Sequence, residues 1–307
     1  MDRESWLLWQ LADSQLPTGG FVASGGLEAG VQGGFISDTQ FNKHNTKQNG
    51  AENSSRYTLM EFILSSTYNQ ARFSLPFAST VHNALSSQHK VLATACEDDP
   101  GQDLDGLAKE MCDKIAKLDN THNAMLASNA VAKRASLAQG MGFLGLFNRS
   151  YAAANIFDHH HHHNTNSTSP SASQKWQALV KSIGKELQRM ARLGEIRGHW
   201  PIVFGFVCAA LEIPLARMQQ LFLFQYVRQI FSAAVRLNLV GPLRAQTLQC
   251  EFYPSMDRIL SETRDILPKS TDNEEEDLFD IGVVYTDPLL ELYQGMHDRL
   301  YSRLFNS

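Results

Sequence analysis

Residues 199–237 read HWPIVFGFVCAALEIPLARMQQLFLFQYVRQIFSAAVRL, and this stretch decides the fold class. From Pro201 to Leu211 the run is apolar without interruption, until Glu212 and Pro214 stop it. Phe204, Phe206 and Val207 beside Ala209 and Ala210 describe a helix that is apolar on most sides, so other helices or a partner must wrap it. A membrane span needs about 20 such residues, so the run predicts a core helix and no membrane segment. Beyond Pro214 a second helix follows through Met218, Leu221, Phe222, Gln225, Ile230, Phe231, Ala234 and Val235, ending near Gly241 and Pro242. Phe222, Phe224 and Tyr226 leave it little polar face.

Outward from this centre the period stays helical. Trp176, Val180, Ile183, Leu187, Met190 and Leu193 recur at three- and four-residue steps, and Gly194 supplies a C-cap. Ile115, Leu118, Met125, Leu126, Val131 and Ala135 predict a third helix. The last opens with Asp287 as N-cap and Pro288 at its first position, with a stripe of Leu289, Leu292, Met296, Leu300 and Leu304. Alternating β-branched runs and internal repeats are missing, so the predicted class is all-α: one helical-bundle domain over residues 1–307. Three polar stretches break the pattern: 42–56, the histidine run and its polar sequel at 158–173, and the acidic 271–280. None carries enough apolar surface to offset its ordering entropy, so each is expected to be a flexible insertion. Long low-complexity insertions fit a eukaryotic source better than a bacterial one.

Composition narrows the function. The 307 residues are 43% apolar and only 19% charged, below the roughly 25% usual for soluble domains. So thin a charge coat points to surface covered by partners. A net charge of −5 argues against a general nucleic-acid binder or a polybasic membrane clamp. Cys96, Cys112, Cys208 and Cys250 form no C-x-x-C pair, which predicts a reducing compartment and no zinc ribbon. Asp2, Arg3 and Glu4 precede a short apolar patch broken by Gln10 and Asp13, unlike a signal peptide, so a cytoplasmic location is expected.

Catalytic constellations are harder to find. Leu16-Pro17-Thr18-Gly19-Gly20-Phe21, followed by Ser24-Gly25-Gly26-Leu27-Glu28, is glycine-rich, but no strand precedes it and no Gly-Lys-Ser/Thr closes it. It reads as a tight turn between two helices. There is no G-x-S-x-G elbow, and Cys208 sits in an apolar run where a thiol stays protonated. His159, His160, His161, His162 and His163 would bind nickel or zinc in a test tube, since imidazole suits such cations, yet a low-complexity tract offers no fixed geometry. His122 is expected on the apolar side of its helix as a hydrogen-bonded core histidine. Arg228 and Arg236 lie eight residues apart and so share one helix face, with Gln246 following after the Gly241 turn. Their planar forks suit a carboxylate, a phosphate or a partner's backbone, or else form salt bridges along a solvated edge. The sequence thus predicts a protein without catalytic residues and without a cofactor of its own.

Several of these segments together resemble the UreF family of urease accessory proteins. The stretch from Leu16 to Glu28 resembles the family's L-P-x-G-x-[FY]-x-x-S-x-G-L-E signature, with Pro17, Gly19, Ser24, Gly26 and Glu28 at its motif positions. Arg134, Ser136 and Gly140 resemble R-x-S-x-x-x-G. His199 through Gly205 and on to Ile213-Pro214 is similar to H-x-P-x-x-[FY]-G followed by I-P. Ala233 to Leu237, then Gly241 and Gln246, matches A-A-[VI]-[RK]-L-x-x-x-G-x-x-x-x-Q, and residues 303–307 match R-L-F-x-S. The chain departs from the pattern at Ala23 and Pro242. The resemblance implies an all-α homodimeric adaptor, not an enzyme, that joins a UreD/UreH-type protein and a UreG-type GTPase on apo-urease and supports GTP-dependent nickel insertion. By position, it puts Arg236, with Arg228 and Gln246, on the GTPase side. Arg303, Leu304, Phe305 and Ser307 fall on the UreD/UreH side. Two other readings differ from it: a helical nickel-binding or storage protein using the His159–His163 tract, and a hydrolase on a helical fold.

Overall fold

The computed structural model describes residues 2–13, 15–18, 20–37, 57–94, 103–154, 171–264 and 283–306. The stretches 42–56 and 271–280, most of 158–173, and with them His159–His163, Gly19 and Ser307, lie outside the described residues.

The chain is all-α. Its centre is α8 (Trp200–Ala210), in which every residue from Pro201 to Ala210 is buried. It packs chiefly against α4 (Leu75–Thr94) and α6 (Ala130–Leu146), and two glycines set how closely. A Cβ at Gly205 would lie 2.2 Å from the Ala78 carbonyl oxygen, and one at Gly140 would lie 2.1 Å from that of Gly198. Side chains at either position would force the helices apart.

Around this centre, α7 (Ala172–Leu193) pairs with α5 (Leu104–Met125). The apolar stripe read from Trp176 to Met190 is its buried face, whereas Leu193, read as its last member, is exposed, and Gly194 ends the helix at φ 76°. Ser171 and Gln174 form a capping box at its start, so the last three residues of the stretch 158–173 belong to the helix and its cap. On the other side, α9 (Leu215–Arg236) contacts α10 (Pro242–Thr263), α3 (Leu59–Phe73), α1 (Arg3–Ala12) and α2 (Leu27–Gln32). The last helix, α11 (Pro288–Met296), rests on α2 and α6 and is capped by Asp287 as expected.

Three expectations need correction. The third helix is two: α5 ends at Met125 and α6 begins at Ala130, because the Asn129 side chain accepts from Ala132 N and starts a new helix. Strand is not wholly missing, for β1 (Ile36–Ser37) pairs in parallel with β2 (Tyr57–Thr58), though two residues each add little. The stripe of α11 is out of phase: Leu290, Tyr293, Gln294 and His297 face inward, whereas Leu289 and Leu292 are exposed. Leu304 is exposed beyond a 3₁₀ turn at His297–Arg299 that ends the helical period. Among the described residues no helix is long and apolar enough to cross a membrane.

Candidate functional site

The polar face of α9 turns toward the N-terminal segment. Gln225 Nε2 donates to Leu11 O at 2.7 Å, Gln229 Nε2 donates to Ala23 O at 3.1 Å, and Arg228 donates to Ala12 O. The steps of three and four residues place all three on one helix face. Arg228 is thus spent on a main-chain carbonyl and not on the salt bridges of a solvated edge.

Arg236, in the last turn of α9, completes the series. Its guanidinium donates to Phe21 O, and its carbon lies 3.7 Å from the centroid of the Phe21 ring and 4.2 Å from that of Phe305. The cation is therefore stacked between a ring of the N-terminal loop and a ring of the C-terminal tail. A planar guanidinium offers two faces for this while its edge still donates. Burial pulls its pKa below the ordinary arginine value.

The loop that supplies Phe21 owes its path to Gly25 and Gly26, at φ 64° and 94°. A Cβ on Gly25 would also come within 2.8 Å of Ile230. Ser24 and Glu28 of the same motif are fully buried. Glu28 accepts from Leu304 N at 2.6 Å and from Phe305 N at 3.2 Å, so this carboxylate holds the tail backbone. His297 Nε2 bonds to the Phe305 carbonyl at 3.2 Å, and its Nδ1 lies 3.7 Å from Glu28. Burial holds this imidazole below its ordinary pKa despite the nearby carboxylate. From α6, Arg134 makes a two-pronged pair with Asp298 at 2.8 and 3.2 Å and donates to Asn306 O. Asn306 N donates to Val22 O, and Arg303 joins Asp298 at 3.2 Å.

Residues expected on two different partner surfaces thus meet. Phe305 is buried against Arg236, while Leu304 and Tyr301 are exposed beside it. Arg228, Arg236 and Gln246 line one cavity of about 750 Å³ between the N-terminal loop, α9 and α10, with Gln246 at its exposed edge. Phe21, Arg134 and Glu28 stood in the recognised motifs, but their joint action on the tail could not be read there. Asp298 and His297 carried no signal in the sequence.

A second polar knot orders α8. The fully buried Asp119 accepts from the backbone N–H groups of Arg197, Gly198 and His199 at 2.5–3.1 Å. A carboxylate at a helix N-terminus meets both the unpaired donors and the positive end of the dipole. Ser136 Oγ accepts from Trp200 N and contacts His199 Nδ1, both at 3.1 Å, and Asn123 Oδ1 takes His199 Nε2 at 3.3 Å. Burial, with Lys133 and Arg197 nearby, lowers the His199 pKa to about 4 against the opposing pull of Asp119. In R-x-S-x-x-x-G, then, the arginine ties the tail, the serine caps α8, and the glycine admits close packing.

Neither buried thiol is poised as a nucleophile. Cys208 is completely buried, and burial raises its pKa strongly, while the Cys112 thiol is pushed up to about 12 by burial first and by Glu186 second. Among the described residues no group of three or more His, Cys, Asp or Glu side chains could hold a metal ion.

Comparison with known proteins agrees with the motifs. A family model described as UreF matches residues 54–253. Urease accessory protein 6 of Cryptococcus neoformans is 30% identical over 99% of this chain and 98% of its own. Urease accessory protein F of Arabidopsis thaliana is 30% identical over 98% of this chain and 92% of its own, and that of Oryza sativa subsp. indica is 26% identical over 98% and 84%. Matched over residues 54–253 by the family model and over nearly its whole length by relatives at 30% identity, the chain belongs to the UreF family of urease accessory proteins.

Proposed function

We propose that this protein is a non-enzymatic adaptor in urease maturation. It bridges a UreD/UreH-type partner and a UreG-type GTPase on apo-urease and supports GTP-dependent nickel insertion, with nickel and GTP handled by the partners. It acts as a homodimer in the cytoplasm, each copy one UreF-like domain. The observation that carries this reading is the Phe21–Arg236–Phe305 stack, which joins the residue assigned to the GTPase side with the tail assigned to the UreD/UreH side. Binding at the tail is then felt at Arg236 through direct contact.

Exposed apolar side chains give the tail something to bind with. Leu289 and Leu292 on α11 are exposed, and so are Tyr301 and Leu304 in the tail that carries the buried Phe305. A group of large exposed apolar residues on a chain that already owns a full core fits an interface. Arg303, exposed in the same tail, adds a side-chain type that is enriched at such contacts.

Co-purification of the tagged chain with its own UreD-type and UreG-type partners, with and without residues 303–307, tests the reading. The full chain is expected to retain both, and the truncated chain to lose the UreD-type partner. Retention of neither by the full chain would overturn the adaptor role.

A further inference from the structure

The cavity between the N-terminal loop, α9 and α10 carries polar groups that the seam leaves unused. Among the described residues its lining holds seven glutamines, no glutamate and no lysine. Three of the seven already work on main chain. Gln225 donates to Leu11 O at 2.7 Å, Gln229 to Ala23 O at 3.1 Å and Gln294 to Gly25 O at 3.3 Å. A carboxamide has two N–H donors and a carbonyl acceptor, so it can answer either side of a peptide group. The walls of this cavity thus already hold the protein's own irregular backbone by glutamine.

Gln139, Gln246 and Gln249 line the same cavity and have no hydrogen bond from their side chains to any described residue. Gln249 is only 6% exposed, yet its amide atoms are not among the buried polar atoms closed to solvent. Gln229 Oε1 is open and unbonded too, and the bond from its amide N–H to Ala23 O fixes which end is the oxygen. Two such oxygens converge at Gly20. A Cβ there would lie 3.3 Å from Gln229 Oε1 and 3.5 Å from Gln139 Oε1, so glycine leaves that point free for an N–H donor shared by both. His122 is the opposite case, and the expectation of a hydrogen-bonded core histidine is corrected. It is 1% exposed, with the rings of Phe73, Phe77 and His199 at 4.8–5.4 Å and no partner for either nitrogen. Both nitrogens are closed to solvent, so they offer a ligand nothing.

We infer that this cavity receives a short, uncharged, extended segment of a partner polypeptide, held through its main chain by Gln139, Gln229, Gln246 and Gln249. The inference rests on the adaptor reading and names what one partner inserts. Charge decides against an anionic occupant. Arg228 and Arg236, with Asp13, are the charged side chains of the lining, and both guanidinium groups already donate to the carbonyls of Ala12 and Phe21. Access decides for a chain segment over an enclosed solute. The volume of about 750 Å³ falls in the range of ligand sites, but Phe21, Gln246 and Tyr253 on the lining are exposed, so the cavity opens to the surface. The rings of Phe21 and Tyr253 there give the side chains of such a segment apolar surface to pack on.

Overlapping short peptides that cover the UreD-type partner, the UreG-type partner and the urease subunits supply the probe. Each is labelled with fluorescein and titrated with the full chain by fluorescence anisotropy, beside co-purification of the two intact partners. At least one uncharged peptide is expected to bind. Joint substitution Gln139→Leu and Gln249→Leu is expected to weaken it roughly tenfold, as the loss of two hydrogen bonds implies. Gly20→Ala keeps every amide but fills the point between the two oxygens, and it is expected to weaken the same peptide. Both variants should melt with the unaltered chain, since the removed amides bond to nothing within it. Peptide binding that both variants leave unchanged would put the contact elsewhere and sink the inference. Binding by acidic peptides alone, abolished by salt, would make the arginines the contact and sink it as well. Retention of both intact partners with no peptide bound would remove this site and leave the adaptor role standing, whereas retention of neither partner would remove both.

Discussion

The packing around α8 and the seam around Arg236 hold the same chain together by opposite means. At α8, buried apolar side chains fill the space, and two glycines let backbone lie against backbone. At the seam, Gln225, Arg228, Gln229, Arg236 and Glu28 each reach a main-chain group of a segment far away in sequence. Non-directional burial makes the first region rigid and tolerant of no added volume. Directional bonds at a half-exposed surface make the second local, and loss of one bond there leaves the rest of the core intact.

The strongest break is expected at the centre. Gly205→Val would drive side-chain carbon into the Ala78 carbonyl, and overpacking against backbone should cost about 4 kcal/mol or more. Urea unfolding should show most of the cooperative transition lost. A native-like midpoint would mean that α4 and α8 can part more easily than their geometry implies.

Acid comes next and reaches both regions, since burial also holds His297 in the seam below its ordinary pKa. His82, His122 and His199 are all held below their ordinary pKa, chiefly by burial. Their unfolded forms therefore bind protons first, so their contribution is complete above about pH 6.5 and is lost as pH falls below it. For His199, whose folded value is about 4, the loss at pH 5.5 is on the order of 1 kcal/mol. Melting temperature should fall steadily between pH 7 and pH 5. A flat profile there would mean that these imidazoles are not buried as neutral groups in solution.

The smallest effect on stability belongs to the seam. Arg236→Lys keeps the charge but gives up the planar faces between Phe21 and Phe305, at a cost of about 1 kcal/mol. Amide exchange at Leu304 and Phe305 should quicken while that of α8 stays unchanged. Equal quickening in both regions would erase the distinction between them.

Legibility in the sequence followed the same division. The stripe of α7, its Gly194 cap, the Asp287 cap and the burial of Pro201–Leu211 could all be read, because each depends on residues within a few turns. Phase failed where polar contacts outweighed apolar ones. Gln294 on α11 and His297 in the turn after it face inward, where Asn129, the Gly25 carbonyl and the tail meet them, and Leu289 and Leu292 are left outward. Likewise the break at Asn129 rests on one side chain capping a helix that apolar periodicity alone would continue.

Local pattern along the chain thus specifies the helical class and the core helix, and the motifs specify the family. Hydrophobic period and capping are local properties, and composition is a global one, so neither needs coordinates. Packing alone brings Phe21, Glu28, Arg134, Arg236 and Phe305 into one seam and encloses His122 among aromatic rings without a protein hydrogen-bond partner. These side chains are separated by up to most of the length of the chain. Which of them meet is set by how α2, α6, α9 and the tail pack around α8, and no spacing along the chain encodes that meeting.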